Sequence, residues 1–214
     1  MIHAVIFDLD GVIVDTARYH FIAWKKLANE LGIDFGEHEN EQLKGVSRMR
    51  SLEIILELGN LRLSNEEMER LADKKNRWFV DYINAIKPQE IFPGVIDLLQ
   101  DIRSSGLKIA LASSSRNADT VLTLLNIKSY FDAIVDGTMI THTKPDPEIF
   151  LLAAGKLAIQ PAQCLVFEDA EAGVEAAIAA GMKCVGVGTA QQLSKATFVV
   201  SKTADFTIQK IKSL

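Results

Sequence analysis

The sequence predicts an α/β protein: a parallel sheet with helices on both faces, carrying an all-helical block inserted straight after the first strand. Three observations carry that reading. From residue 88 onward, short apolar runs of strand length alternate with helix-length runs, the pattern of a parallel sheet covered on both sides. Residues 16–87 show helical periodicity with no strand pattern among them. Polar clusters recur just past the carboxyl ends of the predicted strands, on the one edge where open α/β sheets bind ligands.

Ala4-Val5-Ile6-Phe7 is uncharged throughout and reads as a strand buried on both faces at the centre of such a sheet. Asp8 and Asp10 follow. Residues two apart in an extended chain point the same way, so both carboxylates aim at one spot. Gly11 then lets the backbone turn away without a Cβ clash. Phe21, Trp24, Leu27, Ala28 and Leu31 recur at helical spacing, with Asp15 or Thr16 able to cap the start and Gly32 to stop the helix. A second helix runs from about Met49 through Leu52, Ile55 and Leu56 to Gly59. Ser64 with Glu67 three residues on has the form of a capping box, opening a third helix through Met68, Leu71, Lys75, Trp78, Phe79 and Tyr82.

The character changes at Lys87-Pro88. A helix over Val95 to Ser104 ends at Gly106, Lys108 to Ala112 is a strand, and a helix from near Asn117 reaches Leu125. Phe131 to Val135 is the next strand, and Ile149, Phe150, Ala153 and Leu157 share one face of the helix that follows. Cys164 to Phe167 is a strand, Glu171 to Ala180 a helix stopped by Gly181, and Lys183 to Val187 the last strand; the tail after Gly188 carries less pattern.

Composition bounds the function. With 214 residues, of which 48% are hydrophobic, the chain can bury a substantial core. A net charge of -5 argues against a nucleic-acid binder working by bulk electrostatics, which needs a surplus of Lys and Arg. No apolar run approaches the ~20 residues needed to span a bilayer, and the acids arrive too early for a signal peptide. Cys164 and Cys184 sit in apolar strand-like runs as expected for buried reduced thiols, which fits a cytoplasmic protein. No long apolar seam is left over, so a monomer is expected.

The chemistry-bearing clusters converge. Asp8 and Asp10 follow the first strand, Ser113, Ser114 and Ser115 the second, Glu168 and Asp169 the fourth, and Lys144 the third after a short loop. Carboxylates from two strands, with a backbone carbonyl near Asp10, are hard oxygen ligands of the kind that hold Mg²⁺ beside a substrate phosphate. An anionic nucleophile approaching a phosphate is repelled by roughly 4 kcal/mol at 4 Å in a partly buried site. Mg²⁺ and Lys144 would cancel that repulsion. The serine hydroxyls, nearby N–H groups and the start of the helix near Asn117 form a phosphate cradle, to which Arg116 adds a planar fork. Between Lys44 and Ser47-Arg48, Gly45-Val46 offers backbone N–H groups together with charge.

Taken together, Asp8-Leu9-Asp10-Gly11-Val12, the Ser113 cluster, Lys144-Pro145 and Glu168-Asp169, in that order and with a helical insert after the first, resemble the four motifs of the haloacid dehalogenase-like phosphotransferases. The resemblance covers nearly the whole chain. It implies a Rossmann-like parallel-sheet core made of residues 1–15 and 88–214, with residues 16–87 as an all-helical cap domain. It also implies that Asp8 attacks phosphorus and carries an aspartyl phosphate, that Asp10 is general acid and base, that Ser113 and Lys144 bind the phosphoryl group, and that Glu168 and Asp169 hold Mg²⁺. Thr16, His20, Trp24, the Lys44-Gly45-Val46-Ser47-Arg48 run, Ser51 and Lys75 are similar to the cap residues of the family's sugar-phosphate mutases. Ser115-Arg116-Asn117 resembles their second phosphate site, with arginine where lysine is usual.

The resemblance then implies a small sugar phosphate as substrate, and interconversion of β-D-glucose 1-phosphate and glucose 6-phosphate through a β-glucose 1,6-bisphosphate intermediate. On that reading Arg48, Arg116 and Asn117 supply the non-reacting phosphate site, Lys44, Ser47 and Lys75 address sugar hydroxyls, and His20 positions Asp10. The rivals are an Mg²⁺-dependent phosphatase of small sugar phosphates and a non-catalytic phosphate-binding module.

Overall fold

A computed structural model describes residues 1–43 and 45–214; Lys44, singled out above, lies outside the described residues. The chain opens with β1 (Ala4–Phe7) and continues through α1 (Ala17–Glu30), α2 (Glu37–Asn40), α3 (Arg48–Leu58) and α4 (Asn65–Ile83). It returns to alternation with α5 (Val95–Ser104), β2 (Lys108–Ala112), α6 (Ala118–Leu124), β3 (Ala133–Val135) and α7 (Glu148–Leu157). The remainder is β4 (Cys164–Glu168), α8 (Glu171–Ala179), β5 (Lys183–Val187), β6 (Phe198–Val200) and α9 (Ile208–Lys212).

Among the described residues the strands form one parallel sheet in the order β3-β2-β1-β4-β5-β6. The first strand of the chain is therefore central, with Phe7 in register with Leu111 on one side and Phe167 on the other. Alternate side chains separate onto two faces as strand geometry requires. One face carries large residues such as Phe7, Leu111 and Phe167. The other carries smaller ones, Ala4, Ala110, Ala112, Cys164 and Cys184 beside Ile6 and Val166, with α7 and α8 packed against them. Phe7 stacks on Phe167 with ring centroids 4.9 Å apart.

The helices α1, α3 and α4 enclose a cluster of their own around Trp24, Leu27, Phe35, Leu52, Ile55 and Ala72. The far end of α4 joins the sheet core instead, through Phe79 and Ile83. The expected capping box is present: Ser64 Oγ accepts from the Glu67 N–H, and a Glu67 carboxylate oxygen accepts from the Ser64 N–H at 2.9 Å. At α1 the cap comes from Asp15, which accepts from the Arg18 N–H at 3.2 Å, because the Thr16 hydroxyl is used elsewhere.

Two local expectations shift. The third strand begins at Ala133 rather than Phe131, since residues 128–130 form a turn of 3₁₀ helix just before it. The tail after Gly188 contributes a sixth strand, short and half-buried at the edge of the sheet. No helix among the described residues is long and apolar enough to cross a membrane.

Candidate active site

The site begins where β1 stops. The Asp8 N–H still donates to Phe167 O at 3.0 Å, so the strand pairing carries Asp8 to the carboxyl edge beside Glu168. Gly11 follows with φ +74°, and a Cβ there would fall 2.0 Å from Asp169 Oδ2. The glycine serves both the turn and the room that the second acid needs. Gly173, in α8, plays the same part for Glu168, whose carboxyl carbon would lie 2.0 Å from an added Cβ. Asp8, Glu168 and Asp169 consequently each offer a carboxylate oxygen, all within 4.8 Å of one another.

Beneath them lies Lys144, buried and reaching Asp8 Oδ1 at 2.6 Å, Glu168 Oε2 at 2.8 Å and Ala112 O at 3.3 Å. Burial works against its charge, but the two carboxylates outweigh that cost and hold its pKa above the usual lysine range. Glu168 shows the opposite balance. Burial, aided by Asp8, pushes its pKa to about 7 against the pull of Lys144 and the Ala170 N–H. The Lys144 loop is held from outside: a Glu148 oxygen accepts from the Thr141 N–H at 3.0 Å, and Asp146 Oδ1 accepts from the Glu148 N–H at 2.9 Å.

Asp10 stands apart from the three clustered carboxylates. The Thr16 hydroxyl donates to its Oδ1. Desolvation, then Asp8, raise the Asp10 pKa to about 8, with Lys144 and Lys75 opposing. The hydroxyl that engages Asp10 is thus Thr16's, whereas His20 Nδ1 lies 2.7 Å from Lys75 Nζ and its ring stacks on Phe79 at 3.8 Å.

The serine cluster forms a tight loop. Ser113 Oγ accepts from the Ser115 N–H at 3.2 Å, and Ser115 Oγ accepts from the Asn117 N–H at 3.3 Å. Ser114 turns away and donates to Gly45 O at 2.9 Å. Asn117 Nδ2 donates to Asn76 Oδ1, also at 2.9 Å.

Facing this floor, the helices of residues 16–87 present His20, Trp24, Arg48, Ser51 and Lys75, together with the loop at Gly45 and Val46, over a shared cleft. Ser113 to Asn117, Asp8, Asp10 and Asp169 line its other wall. Lys75 is buried with Nζ 4.5 Å from the Trp24 ring centroid and 5.0 Å from that of Phe79. Burial, then Arg48, depress its pKa well below 10.5. Arg48 is likewise lowered by burial and by the nearby Arg116, while Asp73 is 3.5 Å away.

Thr16, Glu168 and Lys144 lie behind the lining, and Ser47 is the N-cap of α3, its Oγ accepting from the Arg50 N–H at 3.2 Å. Asn40 and Leu43 also line the cleft, and Asn76 crosses to the opposite wall; sequence reasoning passed over all three. Only the adjacency of Leu43 to Lys44 and of Asn76 to Lys75 could have flagged those two; Asn40 has no such neighbour.

Residues 2–181 match the family described as haloacid dehalogenase-like hydrolase. The chain belongs to that family. Among haloacid dehalogenase-like proteins it is 48% identical to the β-phosphoglucomutase of Bacillus subtilis, over 96% of this chain and 92% of that one. It is 36% identical to the phosphorylated carbohydrates phosphatase of Thermotoga maritima, over 84% and 82% of the two chains. A crystal structure of β-phosphoglucomutase from Clostridium difficile superposes with a TM-score of 0.97 at 47% identity, covering 100% of this chain and 96% of the other.

Proposed function

We infer that the chain is an intramolecular phosphotransferase that interconverts β-D-glucose 1-phosphate and glucose 6-phosphate, the activity for which the relatives from Bacillus subtilis and Clostridium difficile are named. Residues 1–15 and 88–214 are the phosphotransfer core and residues 16–87 the cap. One observation carries the reading beyond phosphoryl transfer in general: Arg48 and Arg116 stand on opposite walls of the cleft, near enough that Arg116, after burial, disfavours the charge on Arg48. Two guanidiniums held together in a partly desolvated cleft are relieved by an anion between them. With Asp8 in the same cleft, that makes a second phosphate site, which a bisphosphate needs and a monophosphate does not.

Asp8 attacks phosphorus; an Asp8 Oδ–P bond forms as the bond from phosphorus to the sugar oxygen breaks. Asp10, whose raised pKa keeps a proton on it near neutral pH, gives that proton to the departing sugar oxygen and recovers one from the hydroxyl that attacks next. Ser113 and Lys144 hold the transferring phosphoryl group, Ser115, Arg116, Asn117 and Arg48 the distant one, and Lys75, Ser51 and the backbone of Gly45 and Val46 the sugar. The donor set suits a hard divalent cation, since Asp8, Glu168 and Asp169 bring three oxygens together and two glycines clear room for them. We assign it as Mg²⁺, which those carboxylates, with the Asp10 carbonyl, would hold and which would offset the repulsion between Asp8 and phosphate.

Feeding β-glucose 1-phosphate with a trace of the 1,6-bisphosphate tests the assignment: glucose 6-phosphate appears without matching inorganic phosphate. Stoichiometric phosphate release would instead support the phosphatase reading, which the Thermotoga maritima relative keeps alive. Preference for the α anomer would remove the mutase.

A further inference from the structure

Two hydrogen bonds cross the cleft, and both leave from the loop of residues 113–117. Ser114 Oγ donates to Gly45 O at 2.9 Å, and Asn117 Nδ2 donates to Asn76 Oδ1 at 2.9 Å. They join stretches 69 and 41 residues apart, so neither is a by-product of local chain geometry. Around the first bond the approach is close on a second side as well: a Cβ on Gly45 would sit 3.3 Å from Ala170 Cβ, one residue past Asp169. The Gly45 backbone is therefore pinned between the serine loop and the carboxylate loop. Asn76 sits next to Lys75 on α4, and Asn117 sits next to Arg116, so the second bond fixes the spacing of two cations that line opposite walls.

Ser114 was expected to bind phosphate. Its hydroxyl donates instead to the cap backbone, while the Ser113 and Ser115 oxygens accept from N–H groups inside the loop.

We propose that Ser114 and the Asn76–Asn117 pair are positioning residues that lock the cap onto the phosphate-holding loop, and so decide whether the group on Asp8 passes to a sugar hydroxyl or to water. The proposal rests on the mutase reading above. In transfer, the Asp8 Oδ–P bond breaks as a sugar hydroxyl oxygen bonds phosphorus, and that hydroxyl's proton passes to Asp10. In hydrolysis, water supplies the oxygen and the proton, and inorganic phosphate leaves. Both outcomes use the same core groups. They differ in whether the cap stays seated while the phosphoryl group waits, which is when a lid excludes solvent.

The test compares the full-length protein with Ser114→Ala, Asn76→Ala, the double variant and Ser114→Thr, which keeps the hydroxyl. Inorganic phosphate released per glucose 6-phosphate formed should rise about fivefold in each single variant, the factor set by the net worth of one neutral hydrogen bond. It should rise about twentyfold in the double variant and stay near wild type in Ser114→Thr. Spin labels at Arg62→Cys on the cap and Gln209→Cys on the core give a readout independent of turnover, both native cysteines being buried. The narrow interlabel distance of the parent should broaden and lengthen in Ser114→Ala. A changed ratio with an unchanged distance, or a changed distance with an unchanged ratio, overturns the proposal, as does no change in either. Failure of the mutase reading shows separately, as phosphate release without glucose 6-phosphate in the unsubstituted protein.

Discussion

The floor and the roof of the cleft both bury cations, and they treat them in opposite ways. On the floor, Lys144 lies between two carboxylates at 2.6 and 2.8 Å, and its charge is held on. In the roof, Lys75 is as deeply buried but meets an imidazole and two aromatic faces, and its charge is disfavoured. A buried charge with partners belongs to a preformed site; one without them awaits a ligand that brings the partner. The floor is thus complete before substrate arrives. The roof is complementary to something anionic or hydroxyl-rich.

The largest expected effect comes from breaking the floor. Lys144→Met leaves Asp8 and Glu168 facing each other without compensation, which should lower stability by about 3–5 kcal/mol and kcat by about a thousandfold. Glu168, already raised to about 7 with Lys144 helping to lower it, rises further in the variant. A carboxyl whose folded pKa is raised destabilises the protein above its unfolded pKa, and relief comes as pH falls through the folded value. The variant's deficit in urea unfolding should therefore be greatest above pH 7 and shrink toward acid.

Gly173→Ala probes the same floor more gently. Alanine favours a helix interior over glycine by about 0.8–1 kcal/mol, yet here its Cβ would meet the Glu168 carboxyl. Global stability should change little, whereas Mg²⁺ affinity by calorimetry should fall about 10- to 100-fold, as when a metal ligand loses its orientation. A large stability loss with intact metal binding would mean that Glu168 only props up the fold.

Lys75→Met sharpens the contrast. Because the folded protein holds the Lys75 pKa well below 10.5, the lysine's linked stability is present above that unfolded value and is lost as pH falls through the folded one. Methionine of similar volume avoids this, so the variant should be as stable as wild type or more so at pH 7, by up to about 1–4 kcal/mol. Its advantage should vanish near pH 10.5. KM should rise while the Lys144 variant's losses fall mainly on kcat, which steady-state kinetics would separate.

The floor was the legible half. A fully apolar run ending in Asp8, and another ending in Glu168, are local patterns, and parallel pairing brings their ends to one edge with no further information. The sixth strand escaped notice because it is three residues long and half-buried, so neither length nor burial marks Phe198–Val200 as a strand. The roof was legible by resemblance in its residue types but not in their partners. Ser47 had a cap's position before α3, yet the resemblance drew it toward sugar. Thr16 and His20 share a helix face, and only packed coordinates show the first reaching Asp10 and the second Lys75. Asn76 carries no periodic or compositional signal at all; its meaning lies in a partner 41 residues away.

His20 gives the smallest effect at neutral pH and the most direct test of the roof's character. Desolvation, then Lys75 and Arg48, lower its pKa well below 6.5, so the folded protein holds it neutral. The unfolded chain takes up a proton near 6.5 and the folded one does not, so below that pH the unfolded state binds more protons and stability falls as pH falls. His20→Gln retains a polar partner for Lys75 Nζ but cannot titrate. Between pH 6.5 and the depressed folded value, urea unfolding of this variant should show a shallower loss than wild type. One proton sets the limit of the difference at about 1.4 kcal/mol per pH unit. An identical acid limb in the two proteins would mean that His20 titrates freely, and that the roof does not exclude cationic charge.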